Sequence, residues 1–377
     1  MAKRSRRYMK QIAVLIVTYN GFTYLEDCLS SLRESEHDGF DVKVYVVDNA
    51  SSDNTCDYIR CNYPDVKLIA LCENLGFAGG NNHGWQTIEK ELPHCDLLYL
   101  LNQDTVVDRD FLVEAAAYLE SHPESGAVQS LLLLHPETDL INTAGNRLHF
   151  LGFGLPSYYR APRADAPASG IIAYPSGAGV LLRCDLLHQL GLFHPDLFLY
   201  LEDAELGLKL HLAGRPPHVC DRSVVYHKYQ FGTTIGNYYY LERNRLWLLA
   251  VHFQLKTLLI MLPAMVVMEM GQLLYASRHG LLKQKVKALL AFANPGFLRR
   301  MLDQRHEIQS RRVVSDHSLL ALLSDEIESP HLDSWLLKHV ANPFFKAYFR
   351  AICWICADSR SESKQERRLS GSAHGRT

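Results

Sequence analysis

Between residue 12 and about residue 135, short β-rich apolar runs alternate with segments of helical period, and this alternation constrains the fold more than any other feature of the chain. It is the sequence sign of an α/β domain with a mostly parallel sheet. The runs 12–17, 42–47, 66–71 and 97–101 are the expected strands. Between the first two, Phe22, Leu25, Leu29 and Leu32 recur at helical spacing and would lie against the sheet. A further helix is expected from Asp108, whose side chain can cap it, with Phe111, Leu112, Ala115 and Leu119 on its buried face. Polar tips follow the strands, at the carboxyl edge where open α/β sheets bind ligands.

Residues 152–175, rich in Gly, Pro, Ala and Tyr, have no clear period and predict a long loop. Order returns at 176–183, a helix is expected over about 203–213 with Gly214 as its stop, and a strand over 219–226 ends at His227. No internal repeat is present. After about 236 the composition changes. Over 246–277 the formal charges are Lys256 and Glu269, and the 12 residues between them are too few to cross a bilayer. With Pro263 also interrupting this stretch, an interfacial helix or helical pair is expected in preference to a spanning one. Nine Lys and Arg residues follow between 278 and 312, against Asp303 and Glu307, a balance suited to an anionic membrane face. The expected layout is a basic segment over 1–10, a catalytic domain over 11–235, a helical membrane-associating region over 236–357 and a disordered polar tail over 358–377.

The net charge of −2 argues against a dedicated nucleic-acid binder. Nine cysteines without a regular framework fit reduced thiols, and Cys353 with Cys356 reads as two helical core thiols because no second pair completes a zinc site. Lys3, Arg4, Arg6, Arg7 and Lys10 before the first apolar run look like a signal peptide. That run is too short, and Thr18, Tyr19, Asn20 and Gly21 continue it as strand and loop.

The polar tips read Thr18-Tyr19-Asn20, Asp48-Asn49-Ala50-Ser51, Asn74 through Asn82, and Asn102-Gln103-Asp104. Taken singly, each is ordinary turn chemistry. Gly76, Gly79 and Gly80 do not have dinucleotide-loop spacing and follow the third strand, which argues against an oxidoreductase. Taken together and in this order, with GAGVLLR, YLEDAELGLKL and VYH further on, they resemble the second family of glycosyltransferases, in particular its rhamnosyltransferase-like subgroup, over about residues 11–250. The resemblance implies the GT-A fold and inverting transfer. It also implies that the first two tips hold the base and ribose of a sugar nucleotide, with Asp48 as the base or ribose contact. Thr18, Tyr19, Asn20, Asp48, Asn74, Gly76, Asn82 and Asn102 are the expected donor-binding residues.

A diphosphate leaving group gains negative charge as the sugar–oxygen bond breaks, and a divalent cation, magnesium or manganese, offsets it through hard oxygen ligands. Asp104, at a strand end, is the expected ligand. Family members often have two aspartates in this triplet, whereas here the first position is Asn102, which implies weaker metal affinity or contact through water. By itself His227 reads as a capping or surface histidine; through the resemblance it matches a metal-ligating imidazole of similar enzymes. Asp203 reads by itself as a helix cap, and through the resemblance as the general base, with Glu202 as a supporting acceptor contact. Arg243 and Arg245 are open between contacts to acceptor or lipid phosphate and a solvated helix face.

The expectation is therefore an inverting glycosyltransferase at the cytoplasmic face of a membrane. It would move a sugar such as rhamnose from a dTDP- or UDP-linked donor to a lipid-linked or cell-surface glycan. The alternatives are a nucleotidyltransferase, which should carry a glycine- and arginine-rich loop where TYNGF stands, and a non-catalytic sugar-nucleotide-binding subunit, which has no need of Asp203.

Overall fold

β1 (Lys10–Thr18) is buried on both faces, and its side chains divide between two cores. Ile12, Val14 and Ile16 pack with Leu25, Leu29 and Leu32 of α1 (Phe22–Glu34), Ile59 of α2 (Thr55–Asn62) and Phe111 and Leu112 of α4 (Phe111–Ser121). Ala13, Leu15 and Val17 pack with Trp85 and Ile88 of α3 (Gly76–Glu91), Leu186 of α5 (Cys184–Leu190) and Leu206 and Leu210 of α6 (Glu202–Leu212). A strand covered on both faces can be apolar throughout, which is why the run shows no alternation. The computed structural model describes residues 9–229, 237–327, 335 and 337–357. Most of the basic start, the 235/236 boundary and the polar tail lie outside the described residues.

β2 (Phe40–Asp48) and β4 (Leu97–Asn102) flank β1 in parallel, and β3 (Lys67–Ala70) lies parallel outside β2. β11 (Gly179–Arg183) runs antiparallel between β4 and β6 (Ala127–Leu134), and β12 (Pro217–His227) runs parallel to β6. β5 (Thr105–Val107) pairs with β12 and β7 (Ile141–Thr143) with β6. The result is the expected α/β architecture with a mostly parallel sheet.

Two local expectations are corrected, and one strand was not anticipated. β6 is a fully buried strand of sequence AVQSLLLL, a run that fits a buried helix segment as well as a strand. Asp108 does not cap α4: Asp110 is the N-cap, without a side-chain cap bond, and Asp108 accepts a hydrogen bond from the Tyr226 hydroxyl at 3.4 Å. The 152–175 segment carries β9 (Gly154–Pro156), which pairs with β8 (Asn146–Leu148), and β10 (Gly170–Ile171), which pairs with β12. Strands of two or three residues are too short to show a period.

α6 is shared by two cores. Leu206 and Leu210 face the sheet, while Ala204, Leu208 and Leu212 join Trp247, Leu248 and Val251 of α7 (Tyr238–His252) and Met261 and Ala264 of α8 (Leu255–Arg278). α9 (Leu282–Leu290), α10 (Pro295–Arg311), α11 (Asp316–Leu320) and α12 (Asn342–Cys356) complete the helical layer. Arg243 and Arg245 do not form a solvated helix face, because both are buried within this layer. Arg245 pairs with Glu242 at 2.9 Å and with Glu269, and Lys285 pairs with Glu269 at 2.6 Å and with Glu242. Burial pushes the Glu242 carboxyl up, but the Arg245 and Lys285 charges outweigh it and hold the group below its ordinary range. Two cations and two anions thus neutralise one another and tie α7, α8 and α9 together. Removing one member would leave a buried charge unpaired, at a cost of about 3–5 kcal/mol.

Candidate active site

The tips of β1, β2 and β4 meet through side chains. Thr18 Oγ1 donates to Gln103 Oε1 at 2.5 Å and the Tyr19 N–H donates to the same oxygen at 3.1 Å. A Cβ on Gly21 would lie 2.2 Å from both Gln103 Oε1 and Thr18 Oγ1, so any larger residue there would have to displace this junction's side chains. Asn20, at φ 50°, donates its N–H to Ser51 Oγ at 2.8 Å and accepts from the Ser52 N–H at 2.9 Å. Tyr19 leaves its ring half exposed at this edge.

Asp48 is buried and accepts the Ser51 N–H on Oδ2 at 3.0 Å, while its Oδ1 has no protein partner. Asn102 Oδ1 and Glu202 Oε2 are likewise buried without a partner. An unpaired buried acceptor is costly and calls for a ligand or a functional reason. Asn74 and Gly76 shape the third tip: Asn74 Oδ1 accepts the Gly76 N–H at 2.8 Å, and Asn49 Nδ2 donates to Gly76 O at 2.9 Å. Gly76 has φ 73°, and a Cβ there would lie 2.3 Å from Phe198 O. Asn82 stands apart from the other residues expected to bind the donor, because both ends of its amide bond the Phe193 backbone, at 2.8 and 3.1 Å.

Asp104 and His227 come together, with Nε2 3.3 Å from Oδ1. Asn142 Oδ1 accepts from His227 Nδ1 at 3.0 Å, so Nδ1 carries a hydrogen and Nε2 faces the carboxylate. Such an outer partner fixes the ring of a metal-ligating histidine. In the neutral ring Nε2 offers a lone pair; in the cation it offers a proton to Asp104, which a metal ion would displace. Burial pushes the Asp104 carboxyl up, but the neighbouring His227 more than reverses this, so the carboxylate form is favoured. A carboxylate and an imidazole facing each other are ligand types that suit a divalent cation. Among the described residues no group of three or more His, Cys, Asp or Glu side chains could hold an ion unaided, so the protein would supply part of the coordination and a diphosphate the rest.

Glu202 and Asp203 open α6. Burial pushes both carboxyls up; the Asp203 charge raises Glu202 further, whereas the backbone N–H groups of Ala204 and Gly177 draw Asp203 partly back. Asp203 is therefore the one that ionises first. Leu201, in the left-handed region, occupies the N-cap position, and Asp203 Oδ1 accepts the Ala204 N–H at 2.8 Å, so Asp203 is not the cap. A short path links the carboxylate to the β4 tip: the Gly177 N–H lies close enough to Asp203 to favour its charged form, and the next residue's Ala178 O accepts the Asn102 N–H at 3.2 Å. The preceding turn is strained, with Phe198, Tyr200 and Leu201 at φ 60°, 68° and 66°. Each such non-glycine residue costs on the order of 1–3 kcal/mol, and strain of this kind collects at functional sites.

Sequence reasoning missed Gln103, Asn49 and Asn142 as organisers of this edge, since each acts through a partner distant in the chain. Residues 10–247 match the model of the family described as glycosyltransferase like family 2. The chain belongs to this family. The N-acetylglucosaminyl-diphospho-decaprenol L-rhamnosyltransferase of Mycobacterium tuberculosis is 27% identical over 239 residues, a match covering 58% of this chain and 76% of that protein. The poly(ribitol-phosphate) beta-N-acetylglucosaminyltransferase TarS of Staphylococcus aureus is 24% identical over 224 residues, covering 58% of this chain and 35% of TarS. The crystal structure of GalNAc-T7 with UDP, GalNAc and Mn2+ shares the fold at a TM-score of 0.50 and 15% identity, over 59% of this chain and 44% of that one. The architecture is thus GT-A and the reaction class is glycosyl transfer, as expected for the family.

Proposed function

We propose that this family 2 enzyme is an inverting transferase that moves a hexosyl unit, rhamnose, from a dTDP- or UDP-linked donor to a lipid-linked or cell-surface glycan. The observation that carries this reading is one sheet edge combining the Asp203 carboxylate, of raised proton affinity, with the Asp104–His227 pair and three buried unpaired acceptors. Asp203 takes the proton of the acceptor hydroxyl as that oxygen attacks the anomeric carbon, and the nucleoside diphosphate leaves from the opposite face. Glu202, pushed further up, keeps its proton over a wider pH range and can donate a hydrogen bond to the acceptor. Asp48 uses its free Oδ1 on base or ribose, with Thr18, Tyr19 and Asn20 beside it. Asp104 and His227 would hold a divalent cation, which when bound offsets the charge growing on the diphosphate. The relative named for L-rhamnosyl transfer to N-acetylglucosaminyl-diphospho-decaprenol supports the choice of sugar and of a lipid-linked acceptor. Incubating the full chain with a panel of sugar nucleotides is expected to give heat protection by, and slow hydrolysis of, a dTDP- or UDP-sugar. Pyrophosphate release from a nucleoside triphosphate and a sugar phosphate, with no response to sugar nucleotides, would overturn the reading in favour of a nucleotidyltransferase.

The same reading places the enzyme on the cytoplasmic membrane face. α8 is 24 residues long and contains an 18-residue stretch of mean hydropathy 1.8, enough by length and composition to cross a bilayer. Two features support an interfacial position instead. Thr257, Met261, Ala264, Met268 and Ala276 are buried against the protein, and Glu269 is held by Arg245 and Lys285. The opposite stripe of Leu255, Leu259, Leu262, Val266 and Met270 is exposed, and Leu282, Val286 and Leu290 extend it on α9. Lipid can cover this stripe, and the exposed Arg278, Lys283 and Lys287 nearby in the chain add attraction on the order of 1 kcal/mol each, whereas Lys285 is held in the buried cluster. Membranes from expressing cells are expected to release the protein partly in high salt and fully in alkaline carbonate. Retention until detergent is added would support a spanning helix instead, and a soluble protein before any wash would dispose of both.

A further inference from the structure

We infer that Arg243 and Asn244 are positioning residues, a buried clamp on the strained 198–201 turn that sets where Glu202 and Asp203 stand; this rests on the reading of Asp203 as the base. Phe198, at φ 60° and ψ −61°, centres a tight turn in which the Leu199 N–H reaches Leu197 O at 2.6 Å. This is the uncommon positive-φ γ-turn, followed at once by two further left-handed residues, Tyr200 and Leu201. None of the three is glycine, so surrounding bonds must hold the conformation.

The bonds come from two consecutive residues of α7. Asn244 Nδ2 lies within hydrogen-bond reach of Leu197 O at 2.8 Å, Leu199 O at 3.0 Å and Tyr200 O at 2.8 Å, its two hydrogens being shared among the three. Arg243 Nη2 donates to Leu197 O at 3.2 Å and also to Asp196 O. Asn244 Oδ1 accepts from Arg243 Nε and Nη2 at 3.0 and 2.8 Å. Because a guanidinium only donates, this contact fixes the Asn244 amide with its NH2 toward the turn. The guanidinium is itself sandwiched near the rings of Tyr239, Tyr240 and Phe297, within 5.5 Å of each. The one carbonyl from Asp196 to Tyr200 that the clamp does not reach, Phe198 O, accepts the Ala78 N–H at 3.1 Å from the first turn of α3. Every carbonyl of the turn is thus assigned, and the turn joins the donor-side Gly76 loop to the base-bearing end of α6. Neither Arg243 nor Asn244 bonds Glu202 or Asp203, so their action passes through the backbone.

The test uses the full chain with Asn244→Ala and, as a milder variant that keeps the charge but loses the planar fork, Arg243→Lys. Kinetics with the best sugar nucleotide, UDP- and dTDP-induced thermal shifts, and hydrogen exchange of peptides spanning 196–205 are measured beside Asp203→Asn. Both variants are expected to lose between about tenfold and a hundredfold in kcat, with donor KM within about twofold of the parent. Exchange should rise in 196–205 and stay unchanged in β1 and β4, and the acidic limb of kcat should move to lower pH as the base loses its enclosure. Parent-like kcat and exchange in both variants, with Asp203→Asn inactive, would overturn the clamp and leave the base in place. Faster exchange at undiminished kcat, or kcat lost only in step with nucleotide binding, would overturn it too. Activity retained by Asp203→Asn would instead overturn the base reading, separately from the exchange result.

Discussion

Replacing Asp203 with asparagine is expected to lower turnover by at least about a hundredfold with donor affinity nearly unchanged. The substitution keeps shape and an acceptor oxygen for the Ala204 N–H, now at 2.8 Å from Oδ1, and removes only basicity. Because burial favours the neutral acid at this position, an amide fits it without stranding a charge. The parent kcat should rise with pH through an acidic limb lying above the ordinary carboxylate range, because Asp203 must ionise to act and burial delays it. The residual activity of Asp203→Asn should lack that limb. Stability carries the same sign. A carboxyl whose folded pKa is raised binds its proton more tightly in the folded state, so its contribution is fully present below the unfolded pKa and is lost as pH rises through the folded one. Asp203→Asn and Glu202→Gln should therefore melt above the parent under mildly alkaline conditions, with the difference closing below about pH 4. Steady-state kinetics and melting curves over pH check both, and activity close to the parent in Asp203→Asn would sink the assignment.

The parts of this site that were legible in the sequence are those carried by continuous segments. The strands ending at Thr18 and Asn102 stand out because burial on both faces demands unbroken apolar runs, the one ending at Asp48 because its last four residues are buried, and their polar ends stand out by contrast. β6 did not, since AVQSLLLL has the composition of a buried helix as much as that of a strand. Asp203 sits early enough in α6 to pass for a cap, and only the left-handed backbone of Leu201 shows the cap to be elsewhere. Asn142 reaches His227 across 85 positions, and Asn244 reaches Leu197 across 47. An asparagine in such a place has no local pattern that distinguishes it from a turn residue. Glu269 was misleading in the other direction. Read along the chain it interrupts an apolar helix; in three dimensions it is the anion that ties that helix to Arg245 and Lys285.

Excess chelator is expected to abolish transfer, and Asp104→Ala to weaken Mn2+-dependent donor binding by about tenfold to a hundredfold while leaving metal-free nucleotide binding unchanged. Asp104 is the carboxylate at the β4 tip, facing His227 Nε2 at 3.3 Å and favoured in its charged form. Losing it leaves the imidazole of the pair, with no negative charge to attract a hard dication. Asn142→Ala should give a smaller loss of the same kind, because His227 would keep its ligand atom but lose the bond that aims it. Asn102→Asp adds a carboxylate where the unpaired Oδ1 now stands and should lower the Mn2+ concentration giving half-maximal donor binding. Titrating Mn2+ against fluorescent-nucleotide binding separates these variants without reference to turnover. The decisive result is the chelator experiment: if transfer continues at the parent rate, the charge on the leaving diphosphate is offset by fixed protein groups, and Asn102 marks a metal-independent branch of the family.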